Sequence, residues 1–404
     1  MSSLLFQPAF PNLEALCDQL FRTVWHFLPM VNHLESVVFT YSGEDFDSIK
    51  IEDIIQNPQE YISKDFDPAI CHYAKRFAGK IFLRKAGTET AGIVGLKGII
   101  VWDASDSASV SASQAMANSA GADVVLASPN LVQQETLEII RFAYSLWPQS
   151  ELESMVESSY KTFLDHLKRW QGKSVSVFGN GPSLGHVIEG QLRPKGEIRA
   201  VCNSTIGDQK ALEYLKPELL FCGDPVQHCG VSLYAGNFRS SLERALMDNS
   251  RVLFTQLGYV PYFREVTPPE HHDRIIGIAN DIRADFNLDL KAEYVTAATA
   301  NIFTMLVLPV AFTISRCVDI YGCDGMPFKS ATKPWSHVEE SDYSSKMSVT
   351  HRVHKAFWKR NYEEEYWAYS QDLIQILDAA ESTGCQVQVR TPSYVPALAT
   401  RYTP

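Results

Sequence analysis

Basic residues are in short supply in this chain: 36 Lys and Arg stand against 47 Asp and Glu, a formal net charge of -11. Affinity for nucleic acid or anionic lipid rests on clustered bases that neutralise phosphates. The acidic balance therefore argues against nucleic acid as a partner, while a local basic pocket for one nucleotide stays open. The eight cysteines are Cys17, Cys71, Cys202, Cys222, Cys229, Cys317, Cys323 and Cys385, and no two have CxxC spacing. That argues against a structural zinc site. Most lie in apolar runs, where a free thiol packs as a small core residue, and we read a reducing, cytoplasmic compartment. Long apolar runs are missing too. The longest, Ile302 to Ile314, is broken by Thr304, Pro309 and Thr313 and falls short of the about 20 residues a bilayer span needs. It reads as a buried helix; no membrane span is expected, and peripheral contact stays open. Met1 to Phe10 has no basic region followed by an apolar stretch and a cleavage site, so no signal peptide is expected. Neither GxSxG nor a P-loop GKS/T occurs, which weakens hydrolase and NTPase readings.

What is present suits two globular domains. The 404 residues are 45% hydrophobic and 21% charged, an ordinary globular composition. In residues 1–150, Ser36–Tyr41, Lys80–Arg84, Gly98–Trp102 and Ala122–Ala127 are short and largely β-branched, hence strands. Val110–Ser119 and Leu131–Tyr144 read as helices, so this half is an additional α/β domain, of unassigned role. Asp103 and Asp106 follow a strand end, where ligands bind in such sheets, but turn acids are common there. A polar helical linker over 151–171 has acids first (Glu151, Glu153, Glu157) and bases last (Lys161, Lys168, Arg169), as the helix dipole favours.

Residues 172–404 read as a Rossmann-like domain with a parallel sheet. Strands Ser174–Phe178, Ile198–Cys202, Pro217–Cys222, Arg251–Thr255, Cys317–Tyr321 and Gln386–Arg390 alternate with helices at Leu184–Glu189, Asp208–Leu215, Ala298–Arg316 and Tyr362–Ser382. The first strand runs into Gly179-Asn180-Gly181-Pro182-Ser183-Leu184. Glycines let the backbone turn close to a ligand, and the following helix offers N–H groups and a positive dipole end to a phosphate. Three further strands end in polar turns, at Asn203-Ser204, Asp224-Pro225 and Gly322-Cys323-Asp324-Gly325. In an open parallel sheet such tips line one crevice, so Asn180, Asn203, Asp224 and Asp324 are expected to converge. Each alone reads equally well as a turn residue.

The series GNGPSL, then Cys-Asn after the second strand, then Asp-Pro after the third, resembles the small bacterial sialyltransferases. It equally resembles the wider group of Maf-type motility-accessory proteins and archaeal hydroxymethylpterin diphosphokinases. The likeness covers about 171–392. It implies a CMP-activated donor held by Gly179, Asn180, Gly181, Pro182, Ser183, Asn203 and Ser204, with Asp224 and Asp324 at the neighbouring tips. Asp224 stands where the sialyltransferases have Asn. Thr299-Ala300-Asn301, at the start of the apolar helix, matches their Thr-Ser-Gly and would serve a second anionic group; otherwise Thr299 is an N-cap.

Inverting sugar transfer needs a base for the acceptor hydroxyl and cationic or hydroxyl groups for the departing phosphate. His354 and His351 are the base candidates, with Arg352, Lys355, Arg360 and Tyr343 to stabilise phosphate; a solvated basic loop is the plain alternative. Trp335 and His337 would sit in a lid. Glu270-His271-His272-Asp273 lacks a second ligand pair, and no metal site is expected. The expected function is a glycosyltransferase moving a sialic acid-like sugar from a CMP donor to a glycan acceptor, with no cofactor. One alternative is a diphosphokinase of the hydroxymethylpterin type, in which Asp224 and Asp324 would hold Mg²⁺. Another is a non-catalytic nucleotide-fold module. Acceptor and oligomeric state stay open.

Overall fold

In a computed structural model of the chain, the described residues are 1–88, 93–131, 134–283, 285–327, 347–359 and 361–403. They form two compact units. The first comprises Met1–Gln149, Pro225–Asn237 and Met347–Arg360; the second comprises Ser150–Asp224, Phe238–Lys346 and Asn361–Pro404. The chain is mixed α/β, and both of its sheets are parallel throughout.

The first unit is built on β1 (Ser2–Phe10), β2 (Leu34–Tyr41), β3 (Ile81–Lys85), β4 (Leu96–Val101) and β5 (Asp123–Leu126), in the order β3-β2-β1-β4-β5. The central strand β1 was not expected from the sequence. It buries Leu4, Leu5 and Phe6 completely, as the middle of a parallel sheet covered on both faces requires. At the reversal point, where connections leave in opposite directions, Phe10 and Trp102 stack with centroids 4.5 Å apart. Asp106 accepts from the amides of Ala108 and Ser109 and so caps the helix Ser107–Ala120, while Asp103 accepts from Ser105. Both acids are turn and cap residues here.

Two later segments belong to this unit. Asp67 donates its amide to Val231, Leu233 donates to Asp65, and Phe66 pairs with Ser232, which ties in 225–237. Arg22, on the helix Leu13–His26, donates to the carbonyl of Val353 and ties in 347–360. The expected boundary, with everything after 172 in one nucleotide domain, therefore needs correcting at these two excursions.

The second unit carries β6 (Val175–Phe178), β7 (Ile198–Cys202), β8 (Leu219–Phe221), β9 (Val252–Gln256), β10 (Ile275–Asp281), β11 (Val295–Ala297), β12 (Cys317–Tyr321) and β13 (Gln386–Val389). Their order is β11-β10-β9-β8-β7-β6-β12-β13. Connections run one way from β6 to β11 and return to its other side for β12, so the switch point lies between β6 and β12. Open α/β sheets bind ligands at such points, beyond the carboxyl ends of the strands. Phe178 and Tyr321, opposite one another at those two ends, are fully buried and stack at 5.0 Å. Phe163, Leu167 and Trp170 of the helix Gln149–Trp170 join Phe254 and the apolar segment Phe303–Ile314 in this core.

The apolar helix is shorter than expected. It begins with a π-turn at Phe303–Val307 and continues as an α-helix only over Leu308–Ile314. Pro309, which has no N–H to give, sits in the first turn of that α-helix, where none is needed.

Candidate functional site

The carboxyl tips of β6, β7 and β12 come together in the second unit. The Nδ2 of Asn180 donates to Ser204 Oγ at 2.8 Å, joining the first two. The turn after β6 meets the turn after β12 through four hydrogen bonds. Gly179 donates its amide to Tyr321 O and Gly181 donates to Gly322 O, both at 2.8 Å. Ser183 donates its amide (3.1 Å) and its hydroxyl (2.7 Å) to the two oxygens of Asp324.

This corrects the expected phosphate cradle. The amides of Gly179, Gly181 and Ser183 are taken up by protein acceptors, Pro182 has none, and those of Leu184 and Gly185 turn back to Gly181 O and Pro182 O. The glycines serve contact between two loops. A Cβ at 179 would stand 2.5 Å from Gly322 O, and one at 181 would stand 2.2 Å from Asp324 Oδ2. Burial pushes the Asp324 carboxyl above its usual range, with the Ser183 hydrogen bonds pulling the other way.

Asn203 stands out on the β7 tip. It holds φ at +53°, one of two non-glycine residues in the left-handed region among those described. Its Oδ1 is buried and has no partner among the described residues; the same is true of the Thr205 hydroxyl two positions on. Asparagine tolerates this conformation better than most residues, but a buried acceptor without a partner costs stability, and a ligand is one thing that would satisfy it. Nothing in the sequence marks this beyond the Asn-Ser that follows a strand.

Asp224 is half-buried at the tip of β8. The neighbouring Gly223 accepts from Gln256 on β9 at 2.9 Å. Thr299 and Ala300 precede the apolar helix rather than opening it. Asn301, just ahead of it, accepts from the Phe303 amide at 2.8 Å, while the Thr299 hydroxyl bonds Thr304 and Asn301 O.

The remaining candidates lie in the first unit. His354 Nδ1 is 3.2 Å from Glu135 Oε2. His351 stacks on Phe357, and burial lowers its pKa to about 4. Arg352 forms a two-point ion pair with Asp65, at 2.7 and 2.8 Å, so it is not an open phosphate clamp. Lys355 is exposed. Tyr343, Trp335, His337 and Arg360 lie outside the described residues. His271 and His272 bond Arg274 and Thr267 O, which accounts for that acidic and histidine-rich stretch locally. All eight cysteines are free thiols. Among the described residues, no three His, Cys, Asp or Glu side chains gather as a metal set, and no helix is long and apolar enough to cross a membrane.

No protein-family model, curated protein or solved structure matches the chain.

Proposed function

We propose that the second unit binds a nucleotide at the carboxyl edge of its sheet, beside the β6/β12 switch point. We further propose that the chain is a glycosyltransferase drawing on a CMP-activated, sialic acid-like sugar to modify a glycan acceptor. The observation that carries the reading is Asn203, left-handed in its backbone and with Oδ1 buried and unpartnered among the described residues. It sits at the tip of the strand after the glycine turn, where a polar side chain reads ribose hydroxyls in dinucleotide folds. An amide oxygen accepts hydrogen bonds and cannot receive one from a phosphate dianion. The ribose, rather than the phosphate, is thus the part of the nucleotide that this edge suits. The resemblance of GNGPSL, Cys-Asn and Asp-Pro to sialyltransferases and their relatives supports the CMP donor.

The diphosphokinase reading fits less well. It asks Asp224 and Asp324 to hold Mg²⁺, and both oxygens of Asp324 are already bonded to Ser183. The test is a calorimetric screen of CMP, CDP, UDP, GDP and ATP, each with and without Mg²⁺, on the full chain and on Asn203→Ala. CMP is expected to bind without Mg²⁺, and the variant to bind about 10-fold more weakly, the equivalent of one lost hydrogen bond of about 1.4 kcal/mol. Binding of none of the five would overturn the nucleotide reading. Preference for ATP with Mg²⁺ would replace the transferase by the diphosphokinase.

A further inference from the structure

The run Thr350-His351-Arg352-Val353-His354-Lys355, expected from the sequence to supply a base and phosphate contacts, belongs to the first unit and docks there on a buried chain of charges. Arg22, on the helix Leu13–His26, donates from Nε to Asp18 Oδ2 at 2.7 Å, from Nη1 to Glu135 Oε1 at 2.7 Å, and from Nη2 to Val353 O at 2.8 Å. Glu135 lies on the helix Gln134–Ser145, and its second oxygen meets His354 Nδ1 at 3.2 Å. Arg22 and Glu135 are each 2% exposed, and His354 is 5% exposed. Burial alone would raise the Glu135 pKa, but Arg22 and His354 outweigh it and hold it at about 2, so the carboxylate stays ionised. Three segments far apart in sequence meet through one guanidinium and one carboxylate.

Taken whole, such a chain adds little stability. Withdrawing charges from water costs about what their attraction returns, and well-packed apolar residues in their place commonly do as well or better. What the charges add is position. The apolar side of the docked segment does not define its own place, because Val349, Val353 and Phe357 recur every four residues. Val353 and Phe357 are buried and Val349 is half-buried. Sliding by one turn would still set valines in both apolar seats, but it would bring Thr350 to Glu135 in place of His354. Sliding by three residues would offer His351 to Glu135, but it would put Thr350 and His354 into the seats of Val353 and Phe357. A carbonyl for Arg22 exists at every register, whereas a histidine for Glu135 with valine and phenylalanine in the apolar seats exists at one. The outer ion pair, Arg352 with Asp65, is exposed at the arginine, and pairs of that kind contribute little.

We infer that Arg22, Glu135 and His354 are a register device: they select one seating of residues 347–359 on the first unit, as a single buried polar residue sets the register of a coiled coil. His354 is the side chain that is read, Glu135 reads it, and Arg22 keeps Glu135 ionised and in place. The His-Arg-Val-His run thereby has a role that needs no substrate. The inference concerns this unit alone and stands whether or not the second unit binds a nucleotide.

The test replaces all three groups rather than one. Arg22→Met, Glu135→Leu and His354→Leu are combined in the full chain, and Asp18, its side chain 38% exposed, is left to water. Methyl NMR of valine-labelled protein reads the seating, with Val349 and Val353 assigned by their loss in Val349→Ile and Val353→Ile. The unaltered chain is expected to give one sharp set of signals for each valine. The triple variant is expected to unfold at no lower urea concentration than the unaltered chain, and well above Glu135→Gln, which breaks the chain of charges at one point. Its Val349 and Val353 signals are expected to double or broaden, and the amides of 350–357 to exchange with solvent about 10-fold faster or more. A single sharp set for both valines in the triple variant would overturn the proposal, since apolar packing would then seat the segment unaided. A urea midpoint as low as that of Glu135→Gln would do the same, because the charges would then hold the fold up rather than choose a register. Should the triple variant not fold, Arg22→Leu with Glu135→Met and His354→Met takes its place, and failure of both repackings overturns the proposal too.

Discussion

Asp324 grips Ser183 with both carboxylate oxygens, one on the amide and one on the hydroxyl. The protein thereby places its own anion at the N-terminus of the short helix Leu184–Ile188, the position expected from the sequence to hold a phosphate. Asp324→Ala should lower stability by about 1–2 kcal/mol, the usual loss on removing a helix-capping oxygen. Asp324→Asn should be nearly neutral, because its amide can still accept from the Ser183 N–H and donate to the hydroxyl. Urea unfolding of the two variants checks this. Equal losses in both would mean that the charge of Asp324, not its geometry, holds the turn.

Asn203 allows strain and recognition to be separated. At φ +53° Asn203 holds a left-handed conformation that glycine adopts freely, asparagine tolerates and alanine resists. Asn203→Gly should therefore keep or slightly raise the melting temperature, and Asn203→Ala should lower it. Both should weaken CMP by a similar factor, since both remove the same oxygen. If the glycine variant bound CMP like the unaltered chain, Asn203 would be a turn residue and no more.

Glycine at 181 is required by its neighbours, not by its own backbone angles. A methyl there meets Asp324 Oδ2 at 2.2 Å and Gly322 O at 2.8 Å, and the second of these is main chain and cannot swing away. Gly181→Ala should cost about 1–3 kcal/mol, as overpacking does. The double variant Gly181→Ala with Asp324→Ala should recover only part of it. Additive losses in a double-mutant cycle would show that the two loops do not press on each other.

The fold was legible wherever the side chains carried a clear period. Ile198–Cys202, Cys317–Tyr321 and Tyr362–Ser382 have the bounds their patterns suggest. Strand β1 was not legible because Pro8 and Pro11 sit at its end, and a strand buried on both faces shows no alternation. The glycine turn was legible as a turn beside a switch point, but not in its partners. The amides of Gly179 and Gly181 find their acceptors in Tyr321 and Gly322, more than a hundred residues later. Glu135 and Arg22 carried no local signal at all. A glutamate near the start of one helix and an arginine late in another look like ordinary surface charges until tertiary structure buries them.

His351 and Glu135 should divide the acid response of the first unit into two windows. Burial lowers the His351 pKa from 6.5 to about 4. A histidine that folds neutral contributes stability above 6.5 and loses it as the pH falls toward 4. His351→Gln should therefore flatten that window, even if it costs some stability throughout by losing the stacking on Phe357.

Glu135 governs the lower window, and here the sign follows from a carboxylate depressed in the folded state. Its folded pKa is about 2 against an ordinary 4.5, so its contribution is complete above 4.5 and disappears as the pH drops from 4.5 toward 2. At about 1.4 kcal/mol per pH unit, that window is worth on the order of 3 kcal/mol. Glu135→Gln removes the titration and leaves Arg22, 2% exposed, with Asp18 as its remaining carboxylate partner. At neutral pH this should cost about 3–5 kcal/mol, as breaking one side of a buried pair does, while from about 4.5 downward the two curves should draw together. Unfolding midpoints followed from neutral pH to about pH 3 distinguish the cases, because only a Glu135 whose folded pKa lies below its unfolded one makes the two curves approach each other as acid is added. Curves that stay parallel would mean that Glu135 titrates alike in the folded and unfolded chain, and curves that draw apart in acid would mean that its carboxyl is protonated in the fold.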